Sequence, residues 1–200
     1  RSVDATLYRS LIGSLRYLLH TRPDMTHSVS ILSRYMVNPT SDHWIAAKRV
    51  LRYLKGTIDF GLVYVKGVKN LNVIGYSNSD FAGDVEDRKS TLGQVFFLGG
   101  LPITWNSLKQ KVVALSSCET EYIAITSAVC QGVWIARLVM ELMGVKMEAV
   151  KIMVDNQSAI MLSKTSAHHN RTKHIDTRYH FFQDCVEGGR VVIKHVKTED

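Results

Sequence analysis

The apolar residues of this chain change their spacing once, near Gly56, and that change limits the folds open to it more than any other feature. Before it, Leu11, Leu15, Leu18 and Leu19, then Val29, Leu32, Tyr35 and Met36, then Trp44, Ala47, Val50, Leu51 and Leu54 recur three and four apart, the period of a helix buried along one face. Pro23 interrupts the first run, because it has no N–H to donate and its predecessor avoids helix. Residues 38–42 form a turn and capping cluster, and Gly56 is a stop signal. Residues 1–60 are therefore expected to be a small helical module.

Beyond Gly56 the period is that of strands, at 62–65 and 71–76, with a turn at Gly67 and Asn70. Strands at 93–98 and 102–105 are joined by Gly99 and Gly100 as a tight hairpin. Ser116 and Glu119 have the spacing of a capping box ahead of the longest helix, Tyr122 to Met143, which Gly144 ends. A buried strand at 150–154, helices at 156–162 and 177–186, and a last strand at 190–196 complete an α/β module over 61–200.

With 46% hydrophobic and 22% charged residues in 200, the chain has enough apolar material for a core, which excludes wholesale disorder. No stretch approaches ~20 uninterrupted apolar residues, so neither a membrane anchor nor a signal peptide is expected. Cys118, Cys130 and Cys185 are odd in number and widely spaced, which suits a reducing compartment. The net charge of +7 points to a polyanionic partner.

Candidate chemistry collects at element ends. Asp80 and Asp84 follow the strand at 71–76, where turn formation is the ordinary alternative. Asp155 ends the apolar run 150–154, where helix capping is the alternative. Glu119 and Glu121 lie two apart on the long helix, so only one of them faces a given site; Glu119 suits the capping box, and a dipole-favoured surface acid is the alternative for Glu121. Together these acids describe the oxygen-rich cluster that Mg²⁺ or Mn²⁺ prefers.

Two sets of motifs carry a resemblance. Residues 8–17, 21–24, 51–57 and the pair His43 and Trp44 resemble the C-terminal end of a copia-type retrotransposon reverse transcriptase. Residues 75–84, 88–91, 116–122, 155–159 and 171–180 resemble its ribonuclease H domain. The resemblance implies a ribonuclease H-like mixed five-stranded sheet, its first three strands antiparallel, with flanking helices. It implies an endonuclease that cuts the RNA strand of an RNA–DNA hybrid with two Mg²⁺ (or Mn²⁺) ions, as part of a Pol polyprotein in a cytoplasmic virus-like particle or the nucleus. The family's glutamate falls on Glu121 and its strand-end aspartate on Asp155, while its first aspartate falls on Asn78. An amide oxygen is a poorer ligand than a carboxylate, and Asp80 substitutes only if the chain stays extended, since Asn78 and Asp80 then share a face. The family also continues past residue 200 into a helix that supplies a fourth aspartate. Metal ligands are thus expected at Glu121, Asp155 and Asp80, with activity impaired; Asp176 is assigned a structural or substrate-side role.

Between 164 and 197 seven basic residues face three acids, the balance that phosphate contact requires. The expected nucleic-acid-binding residues are Arg88, Lys89, Lys109, Asn156, Gln157, Arg171, Lys173, His174, Arg178 and Lys197. Trp44, Trp105 and Trp134 lie in apolar patterns and are expected in the core. Two other readings stand beside the nuclease: a catalytically dead hybrid-binding remnant, and a helical module that serves as an interaction platform.

Overall fold

The computed structural model describes the backbone of residues 3–67, 71–164 and 173–197, and the side chains of all of these but 162–164 and 173–179. The chain divides into two compact units, Arg1–Tyr64 and Val65–Asp200.

The first unit packs three helices, α1 (Ala5–Leu18), α2 (Thr26–Leu32) and α3 (Ser41–Gly56), around Tyr8, Ile12, Leu15, Met25, Val29, Leu32 and Ala47. Asp4 caps α1 by accepting from the Thr6 and Leu7 amides, and Thr40 with His43 forms a capping box on α3. The Pro23 break is held by a buried arginine. Arg22 donates to both the carbonyl and the hydroxyl of Thr57 beyond the end of α3 and pairs with Asp24 at 2.8 Å, while the Tyr53 hydroxyl donates to the same carboxylate. One side chain thereby satisfies a carbonyl that the helix end leaves open.

Residues 62–65 form no strand, contrary to the expectation from their spacing. Val63, Tyr64 and Val65 are exposed. Alternation alone does not make a strand when no neighbouring edge takes up its hydrogen bonds.

The second unit is a five-stranded sheet in the order β3-β2-β1-β4-β5, built from β1 (Val73–Ser79), β2 (Thr91–Leu98), β3 (Leu101–Lys109), β4 (Val150–Val154) and β5 (Val191–His195). The first three strands are antiparallel, and β4 runs parallel to both β1 and β5. Gly99 and Gly100 turn the β2–β3 hairpin with φ of +59° and +83°, a conformation that L side chains resist. This is the mixed sheet that the resemblance implies.

Helix α4 (Ser117–Met143) lies against the sheet, with Ile125, Ala128, Val129 and Val133 packed with Phe96, Val150 and Ile152. Gly132 allows the approach, since a Cβ there would press on Val150 and Phe96. By length and composition α4 could span a bilayer, but its apolar residues are largely those that form this core. Trp134 is 57% exposed, not buried as expected, because Val133 and Ile135 beside it take the inward face. Trp44 and Trp105 are half-buried. Helices α5 (Gln157–Lys164) and α6 (Lys173–Glu187) complete the unit, with Phe182 and Cys185 in the core.

Candidate active site

Because β1, β4 and β5 run parallel, their carboxyl ends share one edge of the sheet, where side chains from several elements converge. A cleft of about 470 Å³ opens there, lined by Asn78 and Ser79 of β1, Ser117 and Glu121 of α4, Asp155, Asn156, Gln157, and His195 at the end of β5.

Glu121 reaches the cleft because Ser116 fixes where α4 starts, its hydroxyl accepting from the Glu119 amide at 3.2 Å. Glu119 reaches back to the Leu115 amide rather than to that of Ser116, so the expected capping box closes one residue further out. Glu121 is only 5% exposed; its Oε1 accepts from the Ser79 amide at 2.9 Å, and its Oε2 is buried with no hydrogen-bond partner among the described residues. Burial above all, with the charge of Asp155, pushes its carboxyl up to about 7 against the lowering effect of the Ser79 N–H. The surface role for Glu121 is thereby excluded.

Asn156 caps the following helix, its Oδ1 accepting from the Ala159 amide at 3.0 Å, and Asp155 lines the cleft. The Asp155 carbonyl lies 3.1 Å from His195 Nε2. Asn78 brings an amide oxygen to the cleft, 2.6 Å from the Ser79 amide. Asp80 is not among the lining residues. The strand ends at Ser79, so the two-residue period stops there, and Asp80 Oδ1 accepts instead from the Thr91 amide at 2.7 Å.

The expected binding residues separate. Asn156 and Gln157 line the cleft, Arg88 is exposed on the β1–β2 connection, and Lys197 is exposed after β5. Lys109 is occupied: its Nζ pairs with the buried Asp84 at 2.7 Å and with Asp87 at 2.9 Å, and Lys89 pairs with Asp87 at 3.1 Å. Lys109, through Asp84 and Asp87, ties the β1–β2 connection to the end of β3, while the Lys89–Asp87 pair lies within that connection. Lys173, His174 and Arg178 belong to α6, but their side chains, like Arg171 as a whole, lie outside the described residues, as does the side chain of Asp176.

Ser79, Ser117 and His195 are cleft residues that sequence reasoning missed. Ser117 and Ser79 are polar residues at a helix start and a strand end, a weak signal alone. His195 becomes predictable only once β5 is placed beside β4, since parallel neighbours end side by side.

No protein-family profile matches the chain. The retrovirus-related Pol polyprotein from transposon RE2 of Arabidopsis thaliana is 44% identical over 198 residues, 98% of this chain and 14% of the relative. That from transposon TNT 1-94 of Nicotiana tabacum is 42% identical over 96% of this chain and 14% of its own length. The chain belongs to the retrovirus-related Pol polyproteins of transposons. It spans about one seventh of the length of these Pol relatives. Among solved structures, a foamy viral protease–reverse transcriptase in complex with double-stranded DNA matches with a TM-score of 0.63 at 13% identity, over 99% of this chain and 32% of that one, which shows the fold. The ribonuclease H-like unit of this Pol segment thus brings Glu121 of α4 and Asp155, just past β4, into one cleft at the carboxyl-end edge of its parallel strands.

Proposed function

We propose that the second unit is the ribonuclease H of a copia-type Pol polyprotein, that it binds an RNA–DNA hybrid across the cleft, and that the first unit is the end of the adjoining reverse transcriptase. The observation that carries the reading is the buried, unpartnered Oε2 of Glu121 in the same cleft as Asp155.

An orphaned carboxylate oxygen is costly unless something positive meets it. Glu121 and Asp155 fit a hard divalent cation, Mg²⁺ or Mn²⁺, and when bound such an ion activates water and stabilises the leaving oxygen of a phosphodiester. Asn78 is the point of misfit, because its neutral amide stands where a third carboxylate would balance the charge. Gln157 and the start of α5 offer donors to a phosphate at the cleft rim, and the exposed Arg88 and Lys197 add charge for the backbone.

Asn78 also favours a second reading, a hybrid-binding copy without cleavage. A labelled RNA–DNA hybrid incubated with Mg²⁺ separates the two. The nuclease reading predicts slow cutting by this chain, cutting at least ~10²-fold faster by Asn78→Asp, and background rates for Asn78→Asp with Glu121→Gln. Hybrid binding without cutting by any of them would leave only the binding function.

A further inference from the structure

Behind the cleft lies a buried polar knot that the chemistry above does not use. Gln110, just past the end of β3, is 4% exposed, and its Nε2 donates to Thr120 Oγ1 at 2.9 Å, to the Thr120 carbonyl at 3.0 Å and to Ser79 Oγ at 3.1 Å. The two hydroxyls lie 2.9 Å apart.

The donor inventory fixes the direction of these bonds. A carboxamide nitrogen only donates and carries two protons, which these three acceptors share, so the hydroxyls' own protons turn to carbonyls. Ser79 Oγ stands 3.2 Å from the Thr91 carbonyl, and Thr120 Oγ1 donates to the Asp80 carbonyl at 3.1 Å. Gln110 itself is anchored by its amide, which donates to the Ser90 carbonyl at 2.8 Å. The end of β1 and the first turns of α4 thus meet on one side chain, and the Ser79 hydroxyl carries the link on to Thr91 at the start of β2.

The residues so tied are the neighbours of the cleft groups. Ser79 follows Asn78 and gives its amide to Glu121, and Thr120 precedes Glu121. We propose that Gln110 is a positioning residue which sets the separation between the end of β1 and the first turns of α4, and so holds the Asn78 and Glu121 side chains in one cation-binding geometry. Its functional half rests on the reading of the cleft given above. Apolar packing alone does not fix this separation, because Thr120 and Ser79 meet there through polar atoms. Groups that orient ligands from behind typically change metal affinity by 10–100-fold when removed.

The test uses the full chain and Gln110→Met, which keeps the length of the side chain and deletes its donors. Amide hydrogen exchange at Ser79 is expected to quicken at least tenfold, while Val129 and Ile152 in the core keep their protection. In the Asn78→Asp background the same change is expected to weaken Mn²⁺ binding about tenfold. Ser79→Ala, which removes one acceptor and retains Gln110, is expected to act in the same direction and serves if Gln110→Met does not fold. Unchanged Ser79 exchange, or quickened exchange with unchanged Mn²⁺ affinity, would overturn the proposal. If the Asn78→Asp chain binds no Mn²⁺ at all, it is the reading of the cleft that fails, and Ser79 exchange alone then decides whether Gln110 sets this geometry.

Discussion

The amide of Ser79, the last residue of β1, donates to Glu121 Oε1 at 2.9 Å across 42 positions of sequence. This bond joins the strand that carries Asn78 to the helix that carries the buried acid. It satisfies one oxygen of Glu121 and leaves the other, in the cleft that Asp155 also lines, without a partner among the described residues.

Glu121 makes stability depend on pH. Its carboxyl titrates near 7 when folded and near its ordinary 4.5 when unfolded, so the folded chain binds the extra proton between these values. Its contribution is therefore full below about pH 4.5 and lost as pH rises through about 7. Glu121→Gln removes this loss and is expected to be more stable than the parent at pH 8, by on the order of 2 kcal/mol, with little gain at pH 5. Urea unfolding at the two pH values measures the difference.

Asn78→Asp places a third carboxylate against Glu121 and Asp155. Without divalent cations this variant is expected to melt below the parent, by several degrees, because like charges gather in a low-dielectric cleft. Added Mg²⁺ is expected to raise its melting temperature more than the parent's, since binding to the folded state alone stabilises it. Thermal unfolding with and without Mg²⁺ checks both signs.

Lys109 and Lys89 are expected to matter for folding more than for binding. Lys109→Met removes the cation that faces the buried Asp84 and is expected to cost about 2–3 kcal/mol, whereas Lys89→Met, at a half-exposed pair, is expected to cost far less. Neither is expected to alter the salt dependence of hybrid binding by as much as one phosphate contact. Denaturant midpoints and binding at several salt concentrations measure the two effects.

Arg88 is held at φ +57°, a left-handed conformation that disfavours side chains, and it is exposed. Arg88→Gly is expected to stabilise the fold by about 0.5–1 kcal/mol and at the same time to weaken hybrid binding, lowering the slope of log affinity against log salt by about one. Equal hybrid affinity in the two proteins would remove Arg88 from the binding surface.

The parts legible in the sequence were those governed by local rules. The helical period, the Pro23 break, the glycine hairpin and the Ser116 cap all appear where spacing put them, and the acids at Glu121 and Asp155 follow from element ends and the resemblance. What escaped depends on neighbours far away in sequence. Residues 62–65 have a strand's alternation but join no sheet among the described residues. Trp134 has a core residue's chemistry but the outer side of α4. Gln110 looks like an ordinary polar loop residue until β1 and α4 close over it, and Lys109 looks free until Asp84 is buried beside it.

Glu121 and Asp155 are expected to bind a divalent cation as a pair. The most direct measurement is Mn²⁺ affinity, by calorimetry, for the Asn78→Asp chain and for the same chain with Glu121→Gln or Asp155→Asn. Either second change is expected to weaken Mn²⁺ binding at least tenfold, and restoring asparagine at 78 is expected to weaken it as well. Equal affinity in all four proteins would contradict the pairing.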